Sequence, residues 1–127
     1  MSLPTYAELV QELFPRLTGG IRWGTDRTRR LLATVGDPHQ RYRTLHVGGT
    51  NGKGSVAAML ASVLRESGRN VALYTSPHLC TFRERMQVNG RPLAEEAITA
   101  AAHRLWPAIR REEPSFFEAT TAIAFLA

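Results

Sequence analysis

The stretch that most constrains this chain is Gly48-Gly49-Thr50-Asn51-Gly52-Lys53-Gly54-Ser55. It lies between a short apolar run, Thr44-Leu45-His46-Val47, and a segment in which Val56, Met59, Leu60, Val63 and Leu64 recur with a helical period. A strand that turns through glycines into a helix aims backbone amides and the positive helix end at one point, the arrangement that holds an anion. The next run, Val71-Ala72-Leu73-Tyr74-Thr75, is apolar without alternation, as buried parallel strands are. Strand, glycine loop, helix and strand over residues 43–75 predict a right-handed βαβ unit. The expected fold class is α/β, a doubly wound, mainly parallel sheet with a phosphate-binding loop, incomplete within this chain. In such sheets ligands gather at the carboxyl ends of the strands, which brings Ser76-Pro77-His78 beside the loop.

Lys53 is the one lysine against fifteen arginines. A phosphate-binding loop needs a compact charge on a thin stem rather than a wide guanidinium fork, and four glycines in the seven positions 48–54 supply that loop. Thr50, Asn51, Gly52, Lys53, Gly54 and Ser55 are the candidate phosphate contacts, with Lys53 the catalytic candidate. The spacing departs from the strict Walker A pattern, since three residues separate Gly48 from Gly52 and Gly54 follows the lysine. Ser55 also suits a helix N-cap with no ligand.

The remaining elements follow from caps and breakers. Thr5 and Glu8 form a capping-box pattern opening a helix expected through Leu17, broken by Gly19-Gly20. A second helix is expected from Thr25 or Asp26 to Val35, closed by Gly36. Arg85-Met86-Gln87-Val88 before Asn89-Gly90 reads as an extended segment ending in a tight turn. A long helix is expected from Ala94 to Ile109, bent or ended by Pro107. Ser115 and Glu118 repeat the capping-box pattern and open a helix to Ala127. That last helix is apolar nearly all round and carries no C-terminal cap, as befits an interior, so the chain is expected to be the front part of a longer protein. The division expected is a helical lead-in over 1–42 and a loop-bearing core with its following helices over 43–127.

With 43% hydrophobic and 21% charged residues, the composition is that of an ordinary globular chain. No apolar run approaches the ~18 residues of a membrane span, and residues 1–14 carry Glu8 and Glu12 without a basic leader. Cys80 stands alone, so no internal disulfide forms, and the cytoplasm is the expected compartment. The formal charge of +5 is spread over scattered arginines without a nucleic-acid motif, which suits small anionic ligands such as ATP or a polycarboxylate at least as well. His46 is expected in a strand core, and His39 and His103 at the surface.

Gly49-Thr50-Asn51-Gly52-Lys53-Gly54-Ser55, Tyr74-Thr75-Ser76-Pro77-His78-Leu79, Phe82-Arg83-Glu84-Arg85 and Phe116-Phe117-Glu118-Ala119-Thr120-Thr121, in this order, closely resemble folylpolyglutamate synthase/dihydrofolate synthase, the folate branch of the Mur ligase superfamily. The resemblance covers residues 20–127. It implies an ADP-forming ligase that uses ATP and Mg²⁺ to join L-glutamate to dihydropteroate or a folate through an acyl phosphate, acting as a monomer on small molecules, without nucleic acid or membrane. It maps the triphosphate to Thr50 through Ser55 and a magnesium ligand to Ser76, in agreement with the strand-end placement above; a turn cap before Pro77 is the other reading of that serine. Acceptor-binding segments map to Trp23-Gly24-Thr25-Asp26 and Ser115-Phe116-Phe117-Glu118. Phe117 is suited to stack on a pteridine and Asp26 to accept from its amino edge. Ser115 with Glu118 as a capping box, and Phe116 or Phe117 as core, are the competing readings. A second magnesium carboxylate and the C-terminal glutamate-ligase domain have no counterpart in these residues. Another Mur-type ligase, or a non-catalytic nucleotide-binding fragment, is the alternative function.

Overall fold

The computed structural model describes residues 3–13, 24–76 and 81–127. The chain divides into two compact units, one of residues 1–43 with 95–127 and one of residues 44–94.

The first unit is helical: α1 (Tyr6–Leu13), α2 (Asp26–Ala33), α4 (Glu95–Glu112) and α5 (Phe116–Leu126), with a 3₁₀ turn at Pro38–Gln40. The capping box expected at the start of α1 is formed: the Thr5 amide donates to Glu8 Oε2 at 3.0 Å and the Glu8 amide to Thr5 Oγ1 at 3.3 Å. The expected continuation to Leu17 and the Gly19-Gly20 break lie outside the described residues. Helix α2 ends earlier than Val35, and the Asp37 amide reaches back to the Leu32 carbonyl at 3.0 Å while Gly36 takes a φ of 86°. This is a glycine-terminated helix end. Helix α4 runs through Pro107 to Glu112.

Helix α4 packs against α1, α2 and α5. Leu9, Leu13, Leu31, Ile98, Leu105, Ile109 and Ile123 are fully buried. Leu9 and Leu13 are four apart on α1, and Ile98, Leu105 and Ile109 are seven and four apart on α4, which places each set on one inward stripe. His103, expected at the surface, is half-buried, and its Nε2 donates to the Pro4 carbonyl at 2.6 Å. His39 is also half-buried, with its ring 5.9 Å from that of Phe125. Both corrections have one cause: a helix flank faces neighbours that local sequence does not specify.

The second unit holds α3 (Lys53–Glu66) and a three-stranded sheet in the order β1 (Ala72–Tyr74), β2 (Met86–Val88), β3 (Arg91–Pro92), antiparallel throughout. The hairpin turn expected at Asn89-Gly90 is formed, with Val88 opposite Arg91 and φ of 52° and 82° at the two turn residues. Two successive positive φ angles are what a two-residue hairpin turn requires. Asn89 also knots the unit. Its amide donates to the Val71 carbonyl at 2.8 Å, its Oδ1 accepts from the Val71 amide at 2.9 Å, and its carbonyl accepts from Arg65 of α3 at 2.9 Å.

Two expectations change here. Residues 43–49 carry no strand hydrogen bonds, and His46 is exposed rather than buried. The parallel partner expected for β1 is absent among the described residues, whose sheet is a small antiparallel one. A strand exists only with a neighbour to bond, and among the described residues the one partner of β1 is β2. Among the described residues, no helix is long and apolar enough to cross a membrane.

Candidate functional site

The glycine segment does open a helix, two residues earlier than its serine suggested. Helix α3 starts at Lys53, with Gly52 as its N-cap at φ 76° and no side-chain cap. Ser55 is therefore inside the first turn and not the N-cap. Only glycine takes that left-handed cap conformation at little cost. The first helical bond runs from the Val56 amide to the Gly52 carbonyl at 3.0 Å. The amides of Lys53, Gly54 and Ser55 precede it and have no intrahelical acceptor, as at every helix start.

Thr50 through Ser55 are all exposed, and a β-carbon added at Gly48, Gly49, Gly52 or Gly54 would meet nothing within 4 Å. The loop thus combines exposed residues, helix-start amides without an intrahelical acceptor, a lysine at the first helical position and the positive end of a 14-residue helix. That combination suits a polyanion. Ser76 is exposed two residues beyond the end of β1, where the Thr75 amide still bonds the Arg85 carbonyl at 3.0 Å. Pro77, His78, Leu79 and Cys80 lie outside the described residues, as does Trp23.

In the helical unit the structure brings the other two candidate segments together. Gly24, Thr25 and Asp26, all exposed, lead into the first turn of α2. Ser115 caps α5: the Glu118 amide donates to Ser115 Oγ at 3.2 Å and the Ser115 amide to Glu118 Oε1 at 2.9 Å. Arg27 of α2 then donates to Glu118 Oε1 at 3.1 Å. Burial pushes the Glu118 carboxyl up, but the Ser115 amide and hydroxyl and the Arg27 guanidinium outweigh it and hold the group below its ordinary value. Glu118 therefore has a structural occupation. The two phenylalanines separate cleanly: Phe116 is 2% exposed and belongs to the core, whereas Phe117 is 59% exposed.

Sequence reasoning missed Arg27. Its partner is 91 residues away, and no local pattern marks it apart from the neighbouring arginines Arg29 and Arg30.

No protein-family model matches the chain. It is 41% identical over 117 residues to the dihydrofolate synthase/folylpolyglutamate synthase of Bacillus subtilis, a match covering 87% of this chain and 27% of that protein. Its fold superposes on the folylpolyglutamate synthase of Thermotoga maritima with a TM-score of 0.87 at 40% identity, over 95% of this chain and 29% of the other. A folylpolyglutamate synthase solved as a complex with AMPPCP and folate gives a TM-score of 0.82 at 34% identity, over 97% of this chain and 32% of that one. The chain belongs to the folylpolyglutamate synthase/dihydrofolate synthase family. It spans less than a third of the length of each of these relatives.

Proposed function

We propose that the full protein is an ATP-dependent, ADP-forming amide ligase that adds L-glutamate to dihydropteroate, to folates or to both. The observation that carries this reading is the exposed turn at Gly52-Lys53, which combines helix-start amides without an intrahelical acceptor, a lysine and a helix end. The relatives' names and the AMPPCP and folate of the solved complex support the choice of nucleotide and acceptor.

In this reading a carboxylate oxygen of the acceptor attacks the γ-phosphorus of ATP, and the bond to the bridging oxygen of ADP breaks. The amine of glutamate then attacks the acyl carbon, the acyl–oxygen bond breaks, and inorganic phosphate leaves as the amine loses a proton. The chain's own part is positioning and charge stabilisation. Thr50, Asn51, Gly52, Gly54 and Ser55 hold the triphosphate through their amides. Lys53 neutralises the β- and γ-phosphates during transfer. Phe117 stacks on the heterocycle and Asp26 accepts from its amino edge, while Trp23, Gly24, Thr25, Ser115 and Phe116 shape that subsite and Glu118 anchors it.

Mg²⁺ fits this loop as an ion carried by the nucleotide. Among the described residues no cluster of three His, Cys, Asp or Glu side chains could hold it, and magnesium sites of this kind keep water and phosphate oxygens as ligands. Ser76 would supply a hydroxyl oxygen, and the ion would offset phosphate charge. The glycine loop and β1 belong on this reading to the mainly parallel sheet of an ATP-binding domain continued elsewhere in the full protein. A separate glutamate-ligase domain completes the enzyme, so the 127 residues alone do not turn over. The enzyme acts as a cytoplasmic monomer.

Titration calorimetry on the full-length protein tests the site. Lys53→Ala weakens ATP by about 1.5–3 kcal/mol, the worth of a hydrogen bond to a charged group, or about 10–150-fold. Lys53→Arg also impairs binding, because the fork is wider than the loop. Wild-type ATP affinity in both variants would falsify the assignment of the loop. Steady-state rates with each acceptor then separate the first glutamylation from chain extension.

A further inference from the structure

We propose that Arg27 is a positioning residue for the acceptor, a role that rests on reading Asp26 and Phe117 as acceptor contacts. Arg27 NH1 lies 3.1 Å from Oε1 and 3.5 Å from Oε2 of Glu118, joining the first turn of α2 to the first turn of α5. Glu118 is 7% exposed, and the same Oε1 accepts the Ser115 amide at 2.9 Å. One carboxylate thus closes the N-terminus of α5 and, through Arg27, fastens it to α2.

The consequence falls on the neighbours. Phe117 precedes Glu118 and Asp26 precedes Arg27, so each exposed candidate contact is one residue from the ion pair. Phe116, buried at 2%, fixes the rotation of α5 from the core side, and the ion pair fixes its first turn from the α2 side. An aromatic face and a carboxylate are held in one relation before any ligand arrives. Such preorganisation lowers the ordering cost of binding. Arginine suits the task because its planar fork meets a carboxylate with more than one oxygen in reach, which an ammonium does less well.

Removing one partner of a shielded pair leaves the other charge uncompensated, so Arg27→Met frees the first turn of α5 to move. The proposal separates from a merely structural role by which Michaelis constant moves. In full-length protein, Arg27→Met raises the acceptor KM roughly tenfold, on the order of one charged hydrogen bond, while the KM for ATP stays at the wild-type value. Arg27→Lys restores part of the difference. If Arg27→Met fails to fold, Arg27→Lys and Glu118→Gln are measured instead, and both raise the acceptor KM selectively. Equal movement of both Michaelis constants, or an unchanged acceptor KM in a folded variant, overturns the proposal. Phe117→Ala and Asp26→Asn run alongside. An acceptor KM unmoved in those two sinks the acceptor subsite and this role with it. A rise there without one in the Arg27 variants removes Arg27 alone.

Discussion

The helical unit closes around its own apolar residues, whereas the unit carrying the glycine loop leaves its longest helix bare. In α4, Ile98, Leu105 and Ile109 are fully buried against α1, α2 and α5. In α3 no residue is buried, and Val56, Met59, Leu60 and Val63 are 44%, 61%, 39% and 67% exposed. The two helices carry the same kind of apolar spacing. What differs is whether other elements of the same unit cover the stripe. Helical periodicity reports that a face exists; burial is a property of two surfaces. The bare unit is also the one with the proposed nucleotide loop, so local order at the loop comes from hydrogen bonding and glycine geometry rather than from a core beneath it.

The largest expected effect tests that contrast at its buried end. Leu105→Ala removes a fully buried side chain from the centre of α4 and costs about 2–5 kcal/mol, by lost transfer energy and residual cavity. Urea unfolding of the 127-residue chain measures it. A cost below that of an ordinary surface substitution would mean that the helical unit does not own the core assigned to it.

How much was legible follows the same line. The two capping boxes, Thr5 with Glu8 and Ser115 with Glu118, were readable because each spans three residues and both partners are local. Asn89-Gly90 was readable because the turn selects its residues. The glycine loop was readable as a helix opening, but its first helical residue was not. Gly52 takes the cap through a left-handed φ, which leaves no side-chain signature to set against the obvious serine at position 55. The strand at residues 44–47 was misread because its apolar run is only half of a strand; the other half is a neighbour. Arg27 was missed for the corresponding reason, since an ion pair across 91 residues is a fact of packing. The local structure around the candidate residues was therefore legible where it is built from backbone and caps. It was illegible where one helix must meet another.

A middle-sized effect comes from the buried Glu118 carboxylate, which bridges α2 and α5. The folded Glu118 carboxyl lies below the ordinary glutamate value of 4.5. A group depressed on folding contributes stability that is fully present above its unfolded value and is lost as pH falls through the folded one. Unfolding free energy of the helical unit should therefore decline below about pH 4.5 in wild type. Glu118→Gln should flatten that limb and cost on the order of 1–2 kcal/mol at neutral pH, where the charged hydrogen bonds are lost. Denaturant midpoints across pH 3–7 give the comparison, and an acid limb unchanged in Glu118→Gln would show that other carboxylates govern it.

The smallest effect on stability lies at the bare end of the contrast. Val63 is 67% exposed in α3, so Val63→Ser removes little buried area and should change the unfolding free energy by no more than about 0.5 kcal/mol. The same change interrupts an apolar stripe shared with Val56, Met59 and Leu60, and patches of that kind drive association. Val63→Ser should therefore lower binding of a hydrophobic dye and reduce self-association of the 127-residue chain in sedimentation, with its denaturant midpoint nearly fixed. The two readouts must part company for the contrast to hold. A loss of stability comparable to that of Leu105→Ala would mean that α3 buries this face in solution, and the difference between the units would then be one of degree.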